Sequence, residues 1–434
     1  MDFESSVARL PAELGDLLGS LRQELEGVLA RYEEQLAEAS GDDELISRVD
    51  TRYLTFTDLA GRTADLLAMG TDPDEVPEDL HAILVELFGS RPERHVIVLR
   101  ACENPTFMTY QLRRPEQMHT VRGGGADLMA AGTHDLWLVS VFEIPRSFRY
   151  ATLGQLLVIG HELAHAQDAI TNFSYREAIT DELRLPAESD LDEEISALVI
   201  PWLDEVLADL ASVRRFGPAA VLVFAEYARF VQAYGQSIPI ILWGRAFVEH
   251  PPAEVRLHLM FRALDELGIS PEVIGDLGPA LDEWREIAAR GAAVPDGVSQ
   301  ALKAADRLLR EAFARLQAQA ASLVPPHQTY TDAGVRRARR LADLLAGGVA
   351  PSDSVDDQLR STPVELGDLF NAAAFVRWVP RLLEQLMQAM GVTTDSVPSP
   401  EQRRARALRQ LDLLLARAIE GQRLRRGWPA GLDQ

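Results

Sequence analysis

Residues 160–168 read Gly-His-Glu-Leu-Ala-His-Ala-Gln-Asp, with His161 and His165 four positions apart. On a helix, residues at that spacing share one face with Cβ atoms roughly 5–6 Å apart. Both rings can then reach one metal ion at about 2.0–2.1 Å, the bond length zinc takes with histidine nitrogen. Glu162 sits a step round the helix, too far aside to complete the coordination but well placed to take a proton from a water on the open position. Nine histidines and 66 acidic residues in 434 positions make a chance occurrence rare, with about 0.03 expected in a chain of this composition. The flanking residues predict a helix. Thr152 is a suitable N-cap, and Leu153, Leu156, Leu157, Ile159, Leu163 and Ala164 form its apolar face. Gly160 is discordant, costing up to about 1 kcal/mol relative to alanine, unless the space it leaves serves close packing near the metal.

A catalytic zinc usually has three protein ligands and one position for water, so a third donor must come from elsewhere. Residues 202–210 read Trp-Leu-Asp-Glu-Val-Leu-Ala-Asp-Leu. Leu203, Val206, Leu207 and Leu210 fall at helical spacing, with Glu205 and Asp209 one turn apart on one face. Glu205 would complete a set of two histidines and a carboxylate. Asp209 would accept the outer N–H of a ligating histidine, expected to be His161, fixing its tautomer and raising its basicity.

Together these motifs resemble the zincin metallopeptidases of the gluzincin branch, whose second helix carries Glu-x-x-x-Asp as third ligand and supporting carboxylate. His250-Pro251-Pro252-Ala253-Glu254-Val255-Arg256 is similar to the His-Pro-x-x-x-x-Arg signature of the CAAX prenyl endopeptidase family within that branch. The resemblance implies an α+β, predominantly helical fold. It would have a zincin-like core, with a small sheet and the histidine-bearing helix, flanked by helical regions. It implies one Zn2+ per chain on His161, His165 and Glu205, with Glu162 as the base and His250 as a donor to the oxyanion. Asp209 and Arg256 would support the site from behind. The expected activity is hydrolysis of peptide bonds in a protein or peptide substrate. The alternative is a non-catalytic or latent zincin-like protein that binds or regulates a partner. Degenerate members usually lose the glutamate or a ligand, whereas every such position is filled here.

The chain departs from that family in two respects. Members are often embedded in membranes, yet apolar runs such as 218–224 and 238–243 fall far short of the roughly 20 residues a span requires, so the chain is expected to be soluble. The family's Asn-Ala-Phe element has only a loose echo in Glu103-Asn104-Pro105-Thr106-Phe107, and Asn104 receives no role. The resemblance covers about residues 95–262.

Charge excludes another class. Lys303 is the only lysine and the net charge is −23, which argues against nucleic acid as a partner. The arginine clusters at 336–340, 403–406 and 423–426 are expected to be solvated helix faces or intramolecular partners of the acidic N-terminal half. The N-terminus lacks the basic start and apolar run of a secretory signal, and the single Cys102 forms no internal disulfide; a cytoplasmic location is expected, with Cys102 a buried small residue.

Three regions are expected: an N-terminal helical region over 1–90, the metallopeptidase core over 91–270, and a C-terminal helical region over 271–434 packed on the core. Leu17, Leu18, Leu21, Leu25, Val28 and Leu29 follow a helical period, broken at Gly41-Asp42-Asp43. The runs 95–100 and 136–144 read as the convincing strands; the resemblance to zincins makes the second a candidate edge strand that pairs with an extended peptide, with an internal strand of a small sheet as the equal alternative. Gly123-Gly124-Gly125 reads as a flexible loop. The acidic residues over 181–194 read as a solvated loop between the metal-binding helices. Breaks are expected at Pro325-Pro326 and from Gly347 to Ser354.

Overall fold

The computed structural model describes residues 78–88, 95–102, 108–112, 138–145, 154–170, 190–233, 250–291, 300–352, 354–355, 361–362, 364–392 and 399–426, with helical residues between 23 and 47. The chain divides into two compact units, Met1–Arg146 with Trp428–Gln434, and Ser147–Gly427. The described residues are predominantly helical with a small sheet, the α+β composition expected.

In the first unit, helix α1 (Glu78–Phe88) buries Leu80, Ile83, Leu84, Leu87 and Phe88 and packs on the first strand. Strands β1 (His95–Cys102), β2 (Met108–Leu112) and β3 (Leu138–Pro145) form one sheet in the order β1-β3-β2. β1 runs parallel to β3, from His95 opposite Leu138 to Cys102 opposite Pro145. β2 runs antiparallel to β3. Ile97, Val98 and Leu99 in β1 and Val141, Phe142 and Ile144 in β3 are buried, and Arg100 meets its cross-strand neighbour Glu143 at 3.3 Å. Of the two readings of the second run, edge or internal strand, the internal one holds. β3 is the central strand, with β1 on one side and β2 on the other, so over residues 139–143 it offers no free edge to an added peptide.

In the second unit, a π-helical turn at Val158–Glu162 continues into α2 (Leu163–Ile170). Then come α3 (Asp190–Phe216), α4 (Pro218–Ala233), α5 (Ala253–Glu266) and α6 (Gly278–Gly291). They are followed by α7 (Gln300–Leu323), α8 (Asp332–Ala346), α9 (Leu366–Trp378), α10 (Pro380–Ala389) and α11 (Pro400–Arg426). A two-residue strand pair, β4 (Ser354–Val355) and β5 (Ser361–Thr362), lies between α8 and α9. The expected breaks fall where α7 and α8 end. The acidic loop needs correction at one end, since residues 190–194 lie in α3. Residues 181–189, Thr152, Asn104, the triple glycine, most of the predicted N-terminal helix and the side chains of Cys102 and Arg423–Arg426 lie outside the described residues. No helix among the described residues is long and apolar enough to cross a membrane.

The C-terminal helices pack on the helices that carry the motifs, α7 along α3 and α9 against α3 and α4. Their grip is on the α3–α4 corner. Gly217 turns the chain there at φ 54°, and the Asn371 amide donates to Phe216 O at 2.7 Å while its oxygen accepts from Ala219 N at 3.0 Å. The buried Tyr330 ring fills the space that side chains at Gly217, Gly334 and Gly367 would occupy, and its N–H donates to Arg214 O at 2.8 Å. Two arginines of the 336–340 cluster pair with carboxylates within this region. Arg336 meets Asp332 at 3.3 Å, and Arg337 donates to Asp368.

Burial pushes Asp368 up to about 6 in spite of its bonds to Arg337. A carboxyl that holds its proton more tightly when folded loses stability as pH rises from its unfolded value near 4 through about 6. Between pH 4 and pH 7 the native chain should lose about 2 kcal/mol more stability than Asp368→Asn, read from denaturant unfolding curves at the two pH values. Equal losses would show that Asp368 does not titrate in that window.

Candidate metal centre

The predicted helix is present, but not as a regular α-helix. Residues 158–162 form a π-helical turn, one residue wider than an α turn, and His161 and Glu162 are its last two positions. Leu156, Leu157, Ile159, Leu163 and Ala164 are buried, as their spacing predicts, and so is Val158. Gly160 faces α3. A Cβ built on it would stand 2.3 Å from Ser212 Oγ and 3.1 Å from Ser212 Cβ, so the glycine's missing side chain is what lets the two helices approach. Ser212 lies one turn beyond Asp209. The close approach at 160 and 212 therefore sits beside the contact between His161 and Asp209.

α3 brings the second motif to this face, with Leu203, Val206, Leu207 and Leu210 buried and Glu205 and Asp209 on the side toward His161. His161 Nδ1–H donates to Asp209 Oδ1 at 3.0 Å, the contact expected from the spacing. That bond turns the lone pair of His161 Nε2 away from Asp209, toward His165. The Nε2 atoms of His161 and His165 are 3.1 Å apart, with the rings edge to face. Glu205 closes the group, its Oε2 3.4 Å from His161 Nε2 and its Oε1 3.5 Å from His165 Nε2. Ligand atoms of His161, His165 and Glu205 all lie within 4.8 Å of one another, and they can hold a metal ion. Two imidazole nitrogens and one carboxylate oxygen are a donor set suited to zinc.

Arg256, in the first turn of α5, ties the carboxylates together. Its Nε and Nη2 donate to Asp209 Oδ2 and Oδ1 at 2.7 and 2.8 Å, and its Nη1 lies 2.9 Å from Glu205 Oε2. The guanidinium stacks 4.4 Å from the centre of the Phe224 ring on α4. Burial, the largest single influence, would raise both carboxyls, but Arg256 and the neighbouring histidines together hold Glu205 well below the usual carboxylate range and Asp209 below its own. Burial would lower His161, yet its bonds to Asp209 and Glu205 carry it up to about 10 with no metal bound.

His250 stands at the rim just before α5, its side chain about one-third exposed and its Nε2 3.7 Å from Glu205 Oε1. Burial lowers its affinity for a proton, against the pull of Glu205. Glu162 is buried beside His161, within electrostatic reach of His250. All seven residues named from the sequence are thus in one neighbourhood. Sequence reasoning missed Ser212, whose only signal was the glycine it packs against, and Phe224, which carries no signal of its own. Comparison of the chain with family models, curated proteins and solved structures finds no match, so the reading rests on these residues themselves.

Two outcomes follow from this packing. Asp209→Asn keeps the shape but loses the charge that orients His161, and zinc affinity should fall roughly 10–100-fold in a competitive chelator titration. Unchanged affinity would remove Asp209 from its supporting role. Gly160→Ala should cost about 1–3 kcal/mol in thermal unfolding, part of it recovered in the double variant with Ser212→Ala. A variant as stable as the native chain would show that the helices do not need their close approach.

Proposed function

We propose that this chain is a zinc-dependent metallopeptidase of the gluzincin type, hydrolysing peptide bonds of a protein or peptide substrate. The observation that carries the reading is the convergence of His161, His165 and Glu205 with Asp209 bonded behind His161. These donors come from two segments of the chain, which spacing within either segment does not require.

His161, His165 and Glu205 would hold the metal. Zinc in such a site lowers the pKa of a bound water toward about 7 and polarises a carbonyl. Asp209 keeps the proton of His161 on Nδ1, so that Nε2 presents its lone pair to the centre. Arg256 offsets the two buried carboxylates, so that both remain ionised at neutral pH. Glu162, buried on the same turn as His161, takes the proton of the attacking water and returns it to the leaving amine. His250, at the open side of the cluster, donates a hydrogen bond to the substrate oxygen as negative charge develops there.

Glu162→Gln separates the base from the metal site. The variant should bind zinc as the native chain does and lose at least about 100-fold in peptide hydrolysis, measured on a mixed peptide library by mass spectrometry. A Gln variant with native hydrolysis would remove Glu162 from the base role.

A further inference from the structure

Among the described residues two arginines are buried, Arg215 at 3% exposure and Arg256 at 6%. Arg256 meets the carboxylates of Asp209 and Glu205. Arg215, in the last turn of α3, has no such counterpart. Its side chain donates from Nη2 to the neutral amide oxygen of Gln167 on α2, at 3.2 Å, and forms no ion pair with any described residue. Its Nε and Nη1 are buried with no hydrogen-bond partner. The carbonyls of the turn it stands on are engaged elsewhere: Val213 O accepts from Gly217 N, Arg214 O from Tyr330 N and Phe216 O from the Asn371 amide. Burial without an opposing charge lowers the guanidinium to about 10, so it stays a cation at neutral pH. Buried charges in folded proteins are paired, because an isolated one loses its hydration and gains nothing in return. The negative end of the α3 dipole supplies only a fraction of a charge.

We infer that Arg215 centres a buried site for a small monovalent anion such as chloride, between the end of α3 and α2. The free donors set the chemistry, since the N–H groups of a cation select negative charge and the guanidinium holds them in a fixed plane. Burial sets the size, because a side chain so fully covered leaves no approach for a peptide or a nucleotide. One negative charge balances the guanidinium, and a second would itself be left unpaired in the interior. Gln167 lies two residues beyond His165, so the anion fastens the end of the helix that carries both histidines to α3. The site stands on Arg215 and does not require the metal reading above.

The test is thermal unfolding of the full chain in sodium chloride and in sodium gluconate at equal ionic strength, because a chain of net charge −23 gains from any salt through screening alone. Chloride at ten times its dissociation constant should raise the native midpoint by roughly 3 °C over gluconate. Arg215→Met, which fills the space without the charge, should show equal midpoints in the two salts. Arg215→Lys keeps the charge and loses the planar donors, and should need about tenfold more chloride for the same rise. Folding of both variants is checked by circular dichroism. A second readout needs no variant: the magnetic resonance line of chloride should broaden on adding the native chain, and bromide should compete that broadening away. Equal native midpoints in the two salts, or a chloride line that the native chain does not broaden, would overturn the anion and leave water on the Arg215 donors. A chloride effect that either variant keeps in full would overturn the site at Arg215.

Discussion

The site depends on one buried cation. α3 carries Glu205 and Asp209 into the interior one turn apart, and two carboxylates in that environment would each take up a proton or force water into the core. Arg256 prevents this by forking onto Asp209 and reaching Glu205, with its flat face on Phe224. Ionised, Asp209 holds His161, and Glu205 faces both histidines. Each step in that order needs the one before it. A buried ion network of this kind contributes little net stability against an apolar replacement, so stability alone is a poor explanation for the cluster.

The second requirement is that the helix bearing His161 lie close enough to α3 for the His161–Asp209 bond to form. Gly160 against Ser212 supplies that approach, within a π-helical turn that gives the segment an extra residue just where the functional side chains begin. α3 is in turn fixed at its far end by residues from the C-terminal region, Tyr330 and Asn371, which occupy and cap the corner at Gly217. The C-terminal helices therefore belong to the scaffold of the site.

Much of the site was legible from spacing. His161 with His165, and Glu205 with Asp209, follow directly from the helical period, and Gly160 announced a close contact because a glycine costs a helix stability unless something needs its space. Arg256 and His250 were legible only through the resemblance, since nothing in their local pattern points to a site more than 40 residues away along the chain. The π-helical turn was not legible, because nothing in the residue pattern of 158–162 marks an added residue in the helix. The run alone leaves open whether β3 lies at the edge or the centre of its sheet, for a similar reason. Its run of apolar residues marks a strand, but strand order depends on partners at 95–102 and 108–112 that the run itself does not specify. The arginine cluster at 336–340 read as solvated or as a counterpart of the distant acidic half, whereas Arg337 meets a carboxylate on the neighbouring α9, a pairing only the fold brings about.

The most direct test of the account is the metal content of the purified chain by elemental mass spectrometry, alongside His161→Ala and Glu205→Ala. About one zinc per chain, reduced in both variants, is the predicted result. A chain that binds no zinc even after reconstitution would contradict the account and leave a buried polar cluster in a helical protein that acts by binding other molecules.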